Sequence, residues 1–94
     1  DRYSTAAMIA TRFFSSPPSV GVASGTSFAD GLSGGAYLAH LDGPLLLTAS
    51  DSLSGPATAY LSSTHSSTRA ALTFGGLAAI NDATLAQIDT ALGK

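Results

Sequence analysis

The chain has 94 residues, room for one domain with one modest core, and much of its 45% apolar content is Ala. Four basic residues (Arg2, Arg12, Arg69, Lys94) stand against six Asp and no Glu, a net charge of −2. That balance lacks the basic stripe that nucleic-acid binding requires. The absence of Cys excludes a disulfide framework and a thiolate metal site, and no apolar run approaches the roughly 20 residues of a membrane span.

In chain order, Ser4-Thr5 is expected to cap a first helix carrying Tyr3, Ala7, Ala10 and Phe14 at spacings of three and four, stopped by Ser15-Ser16-Pro17-Pro18. Val20 to Ser24 reads as a short buried strand. Ser27 and Asp30 then form an N-cap and N3 acid pair, opening a helix with Phe28, Leu32, Tyr37, Leu38 and Leu41 on one broad face. Pro44-Leu45-Leu46-Leu47-Thr48 is the second strand, apolar on both faces as a central parallel strand is, with its Pro at the start where a missing N–H costs least. Pro56 to His65 reads as a helix anchored by Ala59, Tyr60 and Leu61. Ala70 to Phe74 is the third strand, and Asp82 is expected to cap a last helix with Leu85, Ile88 and Leu92.

Strands alternating with helices at this spacing predict an α/β fold: a small three-stranded parallel sheet flanked by helices, a three-layer sandwich of Rossmann-like or Toprim-like plan. In such sheets ligands sit beyond the carboxyl ends of the strands. Those ends are Ser24-Gly25-Thr26-Ser27, Thr48-Ala49-Ser50-Asp51 and Gly75-Gly76. They are small, hydroxyl-rich or Gly-rich, and suited either to a sugar hydroxyl or phosphate oxygen or simply to tight turns.

Catalytic patterns fare worse. Gly31-Leu32-Ser33-Gly34-Gly35 matches G-x-S-x-G, but a nucleophile elbow needs a strand entering the turn, and Ser33 falls a full turn past the Ser27–Asp30 cap. His40 and His65 close helices, where an imidazole meets the C-terminal dipole; neither forms a metal cluster. No dinucleotide or phosphate-loop fingerprint is present, and without Glu the acid set of a Toprim-type catalytic site is missing. Gly34-Gly35, beside Gly31, Ser33, Ala36 and Ala39, make one helix surface unusually small, so the sheet, a neighbouring module or a ligand is expected to approach closely there.

Four blocks, in order, resemble a known family. Asp1-Arg2-Tyr3-Ser4-Thr5-Ala6-Ala7 with Ile9-Ala10 looks like the opening of cell wall binding repeat 2. Val22-Ala23-Ser24-Gly25 with Phe28-Ala29-Asp30-Gly31-Leu32-Ser33, then Pro44 to Thr48 with Asp51-Ser52-Leu53, then Phe74-Gly75-Gly76 with Ala79-Ile80 are similar to its later segments.

The resemblance implies one non-catalytic module, here residues 1–94, cut from a larger secreted protein and residing extracellularly at the cell wall. It implies attachment to an anionic secondary polymer, a polysaccharide or teichoic-acid-like chain, on a Gram-positive bacterium, with no cofactor, metal, nucleic acid or membrane insertion. Neighbouring copies, tandem or as a homotrimer, are the other implied partner, and self-assembly with little polymer affinity is the alternative function. By resemblance the polymer contacts are Arg2, Pro44, Leu45, Leu46 and Leu47; the strand ends add Ser24, Gly25, Thr26, Ser27, Thr48, Gly75 and Gly76. Arg2 is expected either to pair with a phosphate or carboxylate or to bridge to Asp30. Leu45 to Leu47 are expected to be mostly core.

Overall fold

The computed structural model describes residues 1–26, 28–49, 51–75 and 80–93, with the backbone alone at Phe28. The described elements are α1 (Arg2–Phe13), β1 (Ser19–Ser24), α2 (Phe28–His40), β2 (Leu45–Thr48), α3 (Gly55–Thr64), β3 (Ala70–Phe74) and α4 (Asp82–Ala91). Ser27, Ser50, Gly76, Ala79 and the Phe28 side chain, all singled out from the sequence, lie outside the described residues.

The three strands form one parallel sheet in the order β2-β1-β3, with Val22 opposite Leu46 and Thr73. This corrects the expectation that Pro44–Thr48 is the central strand. The centre is β1, buried from Val20 to Ser24, whereas β2 alternates half-buried Leu45 and Leu47 with buried Leu46 and Thr48. A triple Leu is nonetheless accommodated at the sheet edge because α1 packs along β2 and against α3, which shields an otherwise open edge.

Side-chain alternation divides the sheet into two faces. Val20, Val22 and Leu46 join Ala10, Tyr60, Leu61, Ile80 and Ile88 in the main core beneath α1, α3 and α4. Gly21, Leu45 and Phe74 face α2, where Leu38 sits on Gly21 so closely that a Cβ there would lie 2.5 Å from Leu38 Cδ2.

The small surface of α2 is explained by the same approach. A Cβ on Gly34 would stand 2.8 Å from Phe74 Cδ2 and 3.1 Å from Leu45 Cδ1, so the sheet is what comes close. The broad apolar face expected on α2 is narrower than its residues suggested. Leu38 is buried, but Leu32 is 61% and Tyr37 52% exposed, with Tyr37 edge-on to Phe74 at 6.1 Å.

Two caps differ from expectation. Asp1, not Ser4 or Thr5, caps α1: its Oδ1 accepts from Ser4 N at 2.7 Å, while Thr5 Oγ1 donates to Asp1 O at 2.9 Å. Asn81, not Asp82, caps α4 by accepting from Thr84 N at 3.0 Å. In both cases the residue whose side chain reaches the N–H three positions on takes the role. Ser54 caps α3 in the same way, and Pro56 follows in its first turn, where its missing N–H is harmless.

Candidate functional site

In a sheet ordered 2-1-3 the β1–β2 and β2–β3 connections run in opposite directions across the sheet, and the crevice opens between the carboxyl ends of β1 and β3. Ser24-Gly25-Thr26 and Phe74-Gly75 occupy those ends. Gly75 adopts a φ of +105°, a conformation that favours Gly and lets the chain leave β3 abruptly. The N-terminus of α1 is brought to the same place. The exposed Arg2 guanidinium donates to the Gly25 carbonyl, and a Cβ on Gly25 would lie 2.6 Å from Tyr3 Cε1 and 3.1 Å from Arg2 Cδ. The described partner of Arg2 is thus a backbone carbonyl of the β1–α2 turn.

The described hydroxyls at these ends, Ser24, Thr26 and Thr48, are all engaged but differ in exposure. Ser24 and Thr48 are 2% and 0% exposed. Ser24 Oγ bonds Thr26 Oγ1 at 2.9 Å and accepts from Thr26 N at 3.2 Å. Thr48 Oγ1 donates to Ser52 O at 3.0 Å and accepts from Ser54 N at 2.8 Å, which fixes the β2–α3 turn. The Gly25 N–H is also engaged, donating to Thr48 O at 2.8 Å. Thr26, Arg2 and Gly75 are exposed at this rim, and Gly25 is half-buried.

The remaining predicted residues lie elsewhere. Pro44 is buried at the opposite, amino end of β2, and its carbonyl accepts from Gly21 N at 2.9 Å. With Leu45 it lines an apolar groove of about 310 Å³ with Ile9, Phe14, Gly35 and Ala39. Leu46 points into the main core. Half-buried Leu47 takes the α2 face of the sheet by its register with Ala23. The structure therefore brings Arg2, Ser24, Gly25, Thr26, Thr48 and Gly75 to one end of the sheet and leaves Pro44 and Leu45 at the other.

Ser33 lies in the middle of α2 with an exposed side chain, not on a strand-to-helix turn, so the hydrolase geometry is absent there. His40 ends α2, and His65 closes α3 with its Nδ1 2.7 Å from Ser62 O. Among the described residues no group of three or more His, Asp or Glu could hold a metal ion. No helix of the described residues is long and apolar enough to cross a membrane.

A sizeable groove also lies away from the strand ends. It measures about 670 Å³ and runs between α1 and α3, lined by Ser4, Met8, Thr11 and Arg12 on one wall and Ala59 and Ser63 on the other. Sequence reasoning missed it. Its walls come from helices some fifty residues apart, and only the i, i+4, i+7 spacing of Ser4, Met8 and Thr11 hints that they share a stripe.

An open parallel sheet wrapped by helices, with a polar rim at its strand ends and a groove along its first helix, defines a small α/β module. The chain belongs to the family Cell wall binding domain 2 (CWB2), whose model matches residues 1–85 of the 94. Membership makes it a cell wall binding module and suggests a location at the cell surface. No curated protein matches the chain. No solved structure matches it either.

Proposed function

We propose that this module is a non-catalytic anchor that holds an anionic secondary cell-wall polymer on a Gram-positive surface. The observation that carries the reading is Arg2. It belongs to the opening motif of the matched family segment, and it is exposed beside the β1–α2 turn with one N–H on Gly25 O. A guanidinium has five N–H donors in a rigid fork, so its outer edge can take a phosphate or carboxylate bidentately. Thr26, Gly25 and Gly75, with Ser27 and Gly76, would form the rest of the contact. Ser24 and Thr48 would act by shaping the turns. With so few cations in the chain, one copy is a weak binder and tandem copies gain by avidity.

The test is co-sedimentation with Gram-positive walls before and after removal of the secondary polymer. Retention by intact walls and release from stripped ones is expected; equal retention by both would sink the reading. Arg2→Ala should weaken retention and flatten its dependence on salt.

A second reading is self-assembly of copies, tandem or as a homotrimer, with little polymer affinity. It is favoured by large apolar side chains left at the surface, above all Met8 at 70% and Phe13 at 68% exposure. A strict monomer by sedimentation at high concentration would count against it.

A further inference from the structure

The groove between α1 and α3 has a chemical character that the other grooves lack. One wall is a helical stripe, Ser4, Met8, Thr11 and Arg12, and the facing wall of α3 presents Ala59 and Ser63 at the same periodicity. The floor is apolar, formed by Ala7 and by Tyr60, whose hydroxyl is turned away to donate to Phe14 O at 2.5 Å. Arg12 is the sole charge along it and none of the chain's six Asp lines it, whereas the grooves beside Pro44 and beside Gln87 carry no charged residue. The Arg12 guanidinium lies 5.9 Å from the centre of the Phe13 ring, a contact that leaves its N–H donors available to an anion.

Volume and lining suit a glycan. At about 670 Å³ the groove is in the size range of small-ligand sites, roughly 300–1,000 Å³. It is open along its length, with an apolar floor for the C–H faces of sugar rings and hydroxyls on both walls. Arg2 and Arg12 bracket α1, separated by ten residues or about 15 Å along the axis. Arg2 is not part of the lining: two residues, or about 200° of helical turn, separate it from Ser4, so it lies on the other side of α1 and the groove's anionic contact falls to Arg12.

We propose that the α1–α3 groove holds a stretch of anionic glycan, with an acidic substituent on Arg12, as a contact separate from the one at the strand ends. This rests on the polymer-binding reading above. The anionic group is a phosphate or a sugar carboxylate.

The experiment compares wall retention of the 94-residue chain with that of Arg12→Ala and Ala59→Lys, after melting curves establish that all three are folded. Both positions are exposed on helices, so neither change disturbs the core. Retention should fall about tenfold for Arg12→Ala, the size of one exposed charge-assisted contact, and rise by a similar factor for Ala59→Lys. A gain of binding cannot be produced by unfolding. If the unaltered chain distinguishes intact from stripped walls while both variants bind as it does, the groove is overturned and the anchoring function stands. If the unaltered chain does not distinguish them, the anchoring function itself fails. Competition with polyglycerol phosphate or with polygalacturonate separates phosphate from carboxylate; competition by neither, or equally by neutral dextran, overturns the anionic assignment.

Discussion

Three glycines on α2 receive the same substitution and should respond with opposite signs. In a helix interior Gly is about 1 kcal/mol less favourable than Ala, so Gly→Ala stabilises wherever the new methyl finds space. Among the described residues a Cβ on Gly31 meets nothing within 4 Å, and on Gly35 it makes an ordinary 3.9 Å contact with Leu45 Cδ2. On Gly34 it would lie 2.8 Å and 2.9 Å from two atoms of the Phe74 ring and 3.1 Å from Leu45 Cδ1. Overpacking of this kind costs about 1–3 kcal/mol, and it outweighs the propensity gain. Gly31→Ala and Gly35→Ala should each stabilise by up to about 1 kcal/mol, and Gly34→Ala should destabilise by about 1 kcal/mol. For a domain of this size 1 kcal/mol moves Tm by about 4–8 °C, so calorimetry or circular dichroism resolves the signs easily. Displacement of Phe74 should also disturb its edge contact with Tyr37, visible in the near-ultraviolet dichroism. A Gly34→Ala variant that melts as high as Gly31→Ala would refute the close approach of α2 to the sheet.

Other outcomes follow from particular contacts. Asp1→Ala and Asn81→Ala should each cost about 1 kcal/mol in chemical denaturation by removing a helix cap, while Ser4→Ala and Asp82→Ala should cost clearly less. Tyr60→Phe should destabilise by about 1 kcal/mol because the Phe14 carbonyl loses its donor. Burial pushes the Tyr60 phenol up to about 12 from its usual 10. Its contribution is therefore complete below pH 10, and it is lost as pH rises toward 12, because the unfolded chain ionises first. Alkaline melting curves should show that extra loss in the unaltered chain and not in Tyr60→Phe. Arg2→Lys should keep the charge but lose the fork, weakening wall retention at low salt where a purely long-range attraction would be unaffected.

The order of elements was readable because each apolar run changes period at Gly, Pro or a hydroxyl cluster, and the structure places six of the seven described elements within two residues of expectation, α1 being capped three residues earlier than expected. What periodicity does not encode is which strand lies in the middle. Leu45-Leu46-Leu47 reads as central because it is apolar on both faces, yet its second covering is α1, a helix more than thirty residues earlier in the chain. Caps were ambiguous for a local reason. Asp1, Ser4 and Thr5, like Asn81 and Asp82, are all cap-forming types, and only the distance to a particular N–H separates them. The candidate site was legible in its motif blocks, and the contact of Arg2 and Tyr3 with Gly25 joins two of them. Whether a strand-end hydroxyl faces outward was not legible. Thr48 is withdrawn by Ser52 and Ser54, a closure that depends on the shape of the following turn.

The first helix is built inside out, and this links fold to function. Its buried positions are Ala7 and Ala10, while Met8, Ile9 and Phe13 remain exposed. Small residues inside let α1 lie close along β2 and so protect the sheet edge, but they contribute little burial of their own. Of the large side chains, which would have strengthened the core, Met8 borders the α1–α3 groove and Ile9 the apolar groove beside Pro44, while Phe13 stands at the surface beside Arg12. A helix arranged only for stability would reverse the two sets. The arrangement is intelligible if the outer surface of α1 works against a partner, whether glycan or a second copy. The two partners draw on different residues: a glycan chain needs Arg2 and Arg12 and responds to salt, whereas a second copy needs Met8 and Phe13 and responds to their apolar area.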